Sequence, residues 1–239
     1  MAVVLVIVGL LIGGLLAPLA SQIEARNFAD TQKQLEYARE ALLGFAIVNG
    51  RLPCPASSSS AGDESPNDGV TACTNYFNGY LPAKALGMQQ VDSSGYAIDA
   101  FNGRIRYVLA QTLTGTGCTN TPAFSSSTNL KSNGLQCKPN DLLVCNSSQA
   151  AGFSATSCGT NNSVVNAQTI VAIVFSMGKN SATTVATRYD EVANTDGNAT
   201  FVYHTPASSG ATGGEFDDQM VWISAGQLYG KLVSAGVLP

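Results

Sequence analysis

The sequence predicts an α+β chain: one long N-terminal α-helix, apolar in its first half and amphipathic in its second, leads into a disulfide-braced domain of short strands and loops. Three observations carry this expectation. Residues 2–20 contain no charge, residues 21–48 keep a helical period, and six cysteines with a few β-branched runs follow.

From residue 2 to residue 20 the chain is apolar on every face, through Val3, Val4, Leu5, Val6, Ile7, Val8, Leu10, Leu11, Ile12, Leu15 and Leu16. A helix of that length spans about 28 Å, close to the hydrocarbon thickness of a bilayer. The first basic residue is Arg26, so the basic n-region of a secretory signal peptide is missing. Gly13, Gly14 and Pro18 give the apolar half places to bend or melt locally, and the glycines serve equally for close helix packing.

The helical phase continues without a break. Ile23, Phe28, Leu35, Ala38, Leu42 and Phe45 fall on one face, and Glu24, Arg26, Asp30, Gln32, Lys33, Glu36 and Arg39 fall opposite. Asn49-Gly50 supplies a stop, and the prolines of Leu52-Pro53-Cys54-Pro55 prevent continuation. The organisation is therefore residues 1–20 as an apolar helix, 21–49 as its amphipathic continuation, and 50–239 as a globular domain.

Within that domain, residues 79–87 read as a turn and a short helix. Residues 104–110 read as a half-buried strand with Ile105, Tyr107 and Leu109 inward, and TIVAIVFS at 169–176 as the central strand. TFVYH (200–204) and QMVWIS (219–224) read as two further strands, with Trp222 as packing material, and a helix over 225–235 closes the chain at Gly236. Residues 112–166, rich in Gly, Ser, Thr and Asn, read as a loop-rich insertion that adds exposed surface and no second core.

Charged residues make up only 12% of the 239-residue chain, and the net charge of −4 includes no long basic run. That composition suits an extracellular surface and does not suit a nucleic-acid partner. Cys54, Cys73, Cys118, Cys137, Cys145 and Cys158 contain no C-x-x-C, and His204 is the only histidine, so zinc ligation lacks its spacing. Disulfides in an oxidising compartment are the expectation. Six cysteines admit many connectivities; the sequential one, 54 with 73, 118 with 137 and 145 with 158, closes the shortest loops.

No enzyme signature is present. No G-x-S-x-G surrounds a serine, His204 is the only possible imidazole base, and Gly115-Thr116-Gly117 lacks the third glycine of a dinucleotide loop. The N-x-S/T triplets at Asn146, Asn161 and Asn198 are expected by chance in so Ser/Thr-rich a chain. Acidic residues gather at Asp190, Glu191, Asp196 and again at Glu215, Asp217, Asp218, with Asp217 and Asp218 the candidate calcium ligands. Their spacing fits no EF-hand, and solvated turns beside strands are the simpler reading.

The VVLVIVGLLIGG stretch running into an amphipathic helix and a globular domain resembles the start of type IV pilins and type II secretion pseudopilins. The LPCPA turn, the strand ending in SMGKN and the C-terminal FDDQMVWIS with its short helix and GVLP resemble a proteobacterial branch of prepilin-type proteins. The 112–166 insertion matches nothing in that pattern. The resemblance implies a helix whose second half packs on an antiparallel β-sheet, and assembly through the N-terminal halves into a pilus or pilus-like filament.

The resemblance further implies copies of itself or other pilins as partners, the inner membrane before assembly, and a prepilin peptidase, methylation and an assembly platform. Filament roles in such systems include cell adhesion, and some pseudopilins bind calcium near their C-terminal loops. In that family a basic leader ending in Gly, an aromatic residue and a Glu precede the apolar stretch. This sequence begins just after the position of that Glu, so a preceding piece is expected. Rival expectations are a minor pilin or type II secretion pseudopilin, and a membrane-anchored periplasmic binding module that does not polymerise.

Overall fold

The computed structural model describes residues 21–182 and 185–238; of residues 2–20 it describes only their inclusion in the first helix. The side chains of Val3, Val4, Leu5, Val6, Ile7, Val8, Leu10, Leu11, Ile12, Leu15 and Leu16, and the bend or melt positions Gly13, Gly14 and Pro18, lie outside the described residues. Among the described residues, no helix is long and apolar enough to cross a membrane.

Helix α1 runs Ala2–Asn49. Its inward face is Thr31, Leu35, Ala38, Leu42, Leu43 and Ala46, all buried. This is the expected stripe with its ends redrawn. Ile23 is 53% exposed, because the domain touches that turn of the helix through Lys179 on Glu24 and does not cover residue 23, and Phe28 and Phe45 are half-buried. Phe45 instead carries the Arg51 guanidinium 5.2 Å above its ring. The helix stops at Gly50, whose φ of 67° suits glycine and whose N–H bonds to Ala46 O at 2.8 Å. The glycine ends the helix, before the prolines come into play. Just beyond, Arg51 and Glu64 form a two-pronged ion pair (2.7 and 2.8 Å) beside the Cys54–Cys73 disulfide.

The next strands are β1 (Gly79–Tyr80) and β2 (Arg106–Leu109). Residues 83–87 form turns where a short helix was expected. The insertion holds β3 (Leu113–Thr114), helix α2 (Ser127–Asn133), β4 (Lys138–Pro139), β5 (Leu143–Cys145) and β6 (Ser163–Val165). The chain continues through β7 (Ile170–Ser176), α3 (Tyr189–Ala193), β8 (Thr200–Val202), β9 (Gln219–Ser224) and α4 (Ala225–Ser234).

The main sheet is antiparallel in the order β1-β2-β7-β9. As its β-branched run predicts, β7 is interior and buried at every position. β2 is interior too, and from Tyr107 to Ala110 it is buried on both faces. That corrects the half-buried reading: alternation in the sequence stops where a second layer covers the far face. The register aligns Tyr107, Val174 and Val221 on one face and Arg106, Phe175 and Met220 on the other. Helix α1 packs on β7 and β9. On the opposite face Phe175 meets Phe201 of β8, ring centres 5.8 Å apart.

The strand TFVYH is therefore not a member of the main sheet. β8 lies in a separate sheet, β6-β5-β8, and pairs parallel with β5, so the fold is not wholly antiparallel. The insertion reading is corrected with it: Phe124, Leu130, Leu142 and Val144 are buried in the main core. Their spacing hides this, since each apolar residue stands among polar neighbours. Cys118–Cys137 and Cys145–Cys158 brace the segment. Leu52 N–H donates to Phe124 O, and Tyr229 O–H to Cys137 O at 2.6 Å, tying it to the end of α1 and to α4. The pairing is sequential throughout, and no cysteine is free. Ser224 and Gln227 close a capping box on α4, which buries Leu228, Tyr229 and Leu232.

Candidate functional site

Two features of the described residues bear on function: the exit of α1 from the domain, and a carboxylate cluster beside it. At the exit, residues 21–26 are exposed on every face of the helix. The side of α1 is held there by Lys179, whose Nζ lies 2.6 Å from Glu24 Oε1. Lys179 belongs to the turn after β7, the SMGKN segment, and that turn leads directly to the carboxylates.

Glu191 comes from α3, and Asp217 and Asp218 come from the residues before β9; one oxygen of each lies within 4.8 Å of the others. The turn positions them. Lys179 N–H donates to Asp217 Oδ2 at 3.2 Å, and Asn180 Nδ2 donates to Glu191 Oε1 at 3.0 Å. Gly178, at φ 61°, leaves no room for a Cβ beneath the Asp217 carboxylate. Asp217 N–H donates to Glu191 Oε1 at 3.1 Å, and Asn194 Nδ2 donates to Asp218 Oδ2 at 2.8 Å. Oδ1 of Asp217 and Oδ1 of Asp218 are buried with no hydrogen-bond partner.

Three acids this close cannot all hold full charge cheaply. Burial pushes Asp218 well above the ordinary carboxylate range. Burial, then the Glu191 charge, pushes Asp217 up to about 6, and burial raises Glu191. A bound cation would reverse this by giving the unpartnered oxygens a partner. The donor set, three carboxylates of which Glu191 and Asp218 line a cavity of about 30 Å³, fits one hard divalent ion such as calcium. Arg188 competes for the same charge, with Nε 3.7 Å from Glu191 Oε2 and 3.4 Å from Glu215 Oε2.

The solvated-turn reading of Asp217 and Asp218 is thus corrected: Asp218 is 3% exposed and Asp217 half-buried, because α3 packs over the approach to β9. Asp196 stays apart, bonded to Asn198, and Glu215 pairs with Arg188. Asp190 faces away from the cluster. Its Oδ1 accepts from Ser148 N–H (2.6 Å), Ser148 Oγ (2.7 Å) and Ser147 Oγ (3.1 Å), and its Oδ2 lies 3.2 Å from His204 Nε2. His204 Nδ1 meets Thr205 O at 2.7 Å and the ring stacks on Phe216. Both serine hydroxyls bond Asp190, so this group fastens α3 to the Cys145–Cys158 loop.

No protein-family model, curated protein or solved structure matches this chain. Function must be argued from the exit and the cluster themselves. Sequence reasoning named all three carboxylates without grouping them, and it missed Asn194, Lys179 and Gly178. The signal available for the last two was the GKN turn closing the buried strand, whose backbone serves the acids as donor and as space.

Proposed function

We propose that this chain is a structural subunit of a type IV pilus-like filament, polymerising through its N-terminal helix, with a disulfide-braced head. The observation that carries the reading is the exit of α1: residues 21–26 leave the head exposed all round, while the sequence continuing from them, residues 2–20, is apolar on every face. A helix apolar on every face needs lipid or other helices around it. Exchange of lipid for neighbouring helices keeps apolar burial constant, so packing decides the preference, and the small residues Gly9, Gly13 and Gly14 suit close approach.

Three disulfides favour a head that works in an oxidising compartment, periplasmic or extracellular. The carboxylate cluster supports a stiffening role: a calcium ion at Glu191, Asp217 and Asp218 would lock the turn that grips α1 through Lys179 and Glu24. Leu11→Asp tests the reading. The variant is expected to form its head disulfides normally and to fail to appear in sheared surface filaments, because a carboxylate among apolar helices is costly. Filaments of undiminished amount from Leu11→Asp would reject assembly through this helix.

A further inference from the structure

A cleft of about 310 Å³ opens along β9, the edge strand of the main sheet, between α1 and the end of β8. That volume lies at the lower end of the range for small-ligand pockets, roughly 300–1,000 Å³. Its wall is aromatic. Trp222, the chain's only tryptophan, and Tyr203 are both half-buried there, packed edge to face with centres 5.9 Å apart. Its rim is polar, and the polar groups come from two helices: Gln32, Glu36 and Arg39 from α1, Gln227 from α4.

Several of these groups have hydrogen-bonding capacity to spare. Arg39 Nε is buried and has no partner. Gln227 Oε1 accepts from Ser224 N–H, and its Nε2 amide group has no partner among the described residues. The Trp222 indole N–H has none there either, although a partly buried indole ordinarily finds one. Glu36 Oε2 lies 2.7 Å from Arg39 Nη2, with Glu40 Oε1 3.6 Å from the same nitrogen. The cation is thus already matched by carboxylates, and an anionic ligand would meet no unopposed positive charge.

We propose that this cleft binds a neutral pyranose sugar. A sugar ring has an apolar C–H face that an aromatic side chain covers, and a rim of hydroxyls that both donate and accept. The cleft offers the complement: the Trp222–Tyr203 wall for the face, Arg39, Gln227 and Trp222 as donors, and Glu36 as acceptor. The inference is independent of polymerisation, since it rests on the head alone.

Trp222 supplies the test, because all tryptophan emission reports from the cleft. The full chain, held in a zwitterionic detergent without a sugar headgroup, is titrated with glucose, galactose, N-acetylglucosamine and cellobiose, and with glucuronic acid as the charged control. At least one neutral sugar is expected to change the emission saturably with a Kd near about 1 mM, and Glu36→Gln to weaken it by about tenfold. Gln32→Ala and Trp222→Phe, the latter followed by saturation-transfer NMR, guard against a variant that fails to fold. No saturable change with any neutral sugar up to about 20 mM, binding of glucuronic acid alone, or binding unchanged in all three variants would overturn the proposal.

Discussion

Replacing Asp217 by Asn removes one charge from the carboxylate cluster and leaves the side chain's shape and its acceptor for Lys179 N–H in place. Burial and the neighbouring Glu191 charge hold the Asp217 carboxyl at about 6 in the fold, against 3.8 ordinarily. A raised acid binds its proton more tightly folded than unfolded, so stability falls as pH rises through the window from about 4 to 6 and the full penalty stands at pH 7. A shift of roughly two units corresponds to about 3 kcal/mol, and partial solvent screening of this half-buried group lowers it to about 1–2 kcal/mol. For a chain of this size that is a rise of about 2–8 °C in Tm for Asp217→Asn at pH 7. At pH 4 the difference closes.

The assay is thermal unfolding followed by circular dichroism, with chelator present, at pH 7 and pH 4. An Asp217→Asn protein that melts at or below the wild-type temperature at pH 7 would refute the claim that burial and the Glu191 charge make the Asp217 carboxylate costly in the fold. So would an equal gain at both pH values, since a packing improvement has no reason to vanish on protonation.

Calcium in place of chelator is expected to raise the wild-type Tm at pH 7 in a concentration-dependent way. Calorimetry of Asp218→Asn should show that heat of binding lost, and retention of it would place the ion elsewhere. Glu64→Ala strands Arg51, whose side chain is 12% exposed, beside a 3% exposed partner position, and should cost about 3–5 kcal/mol in denaturant unfolding. A cost below about 1 kcal/mol would show that water reaches the pair. Along α1, Leu42→Ala should cost about 2–5 kcal/mol, and Ile23→Ala, on the exposed turn, less than about 0.5 kcal/mol. Equal costs would mean that the head covers residue 23 after all.

Legibility of the fold in the sequence tracked the range of the interactions involved. Helix α1, its Asn49-Gly50 stop and the buried run of β7 are set by neighbours within a turn or a strand, and residues alone reveal them. What escaped was long-range. Nothing near Leu142 or Val144 announces that β5 pairs parallel with β8, some sixty residues on. Nothing near Val108 shows that a second layer covers it, so the alternation of Ile105 and Tyr107 suggested one wet face.

The candidate site follows the same rule. Acidic residues are visible in any sequence, but the burial that turns Asp218 from a turn residue into an unpartnered acid comes from α3, twenty-five residues earlier in the chain. Trp222 shows the same limit: its alternation with Val221 and Ile223 gave its strand, and nothing in that alternation places it at the edge of the sheet. It packs on Tyr203, and it also lines an open cleft because β9 is an edge strand, a position in the sheet order that periodicity does not encode.

Central to the account is assembly through the apolar N-terminal helix, and electron microscopy of sheared cell-surface material, labelled with antibody to the head, tests it most directly. The account predicts labelled filaments along which heads repeat regularly. Label confined to single molecules in the membrane fraction, with no filament carrying it, would contradict the account and leave an anchored binding module in its place.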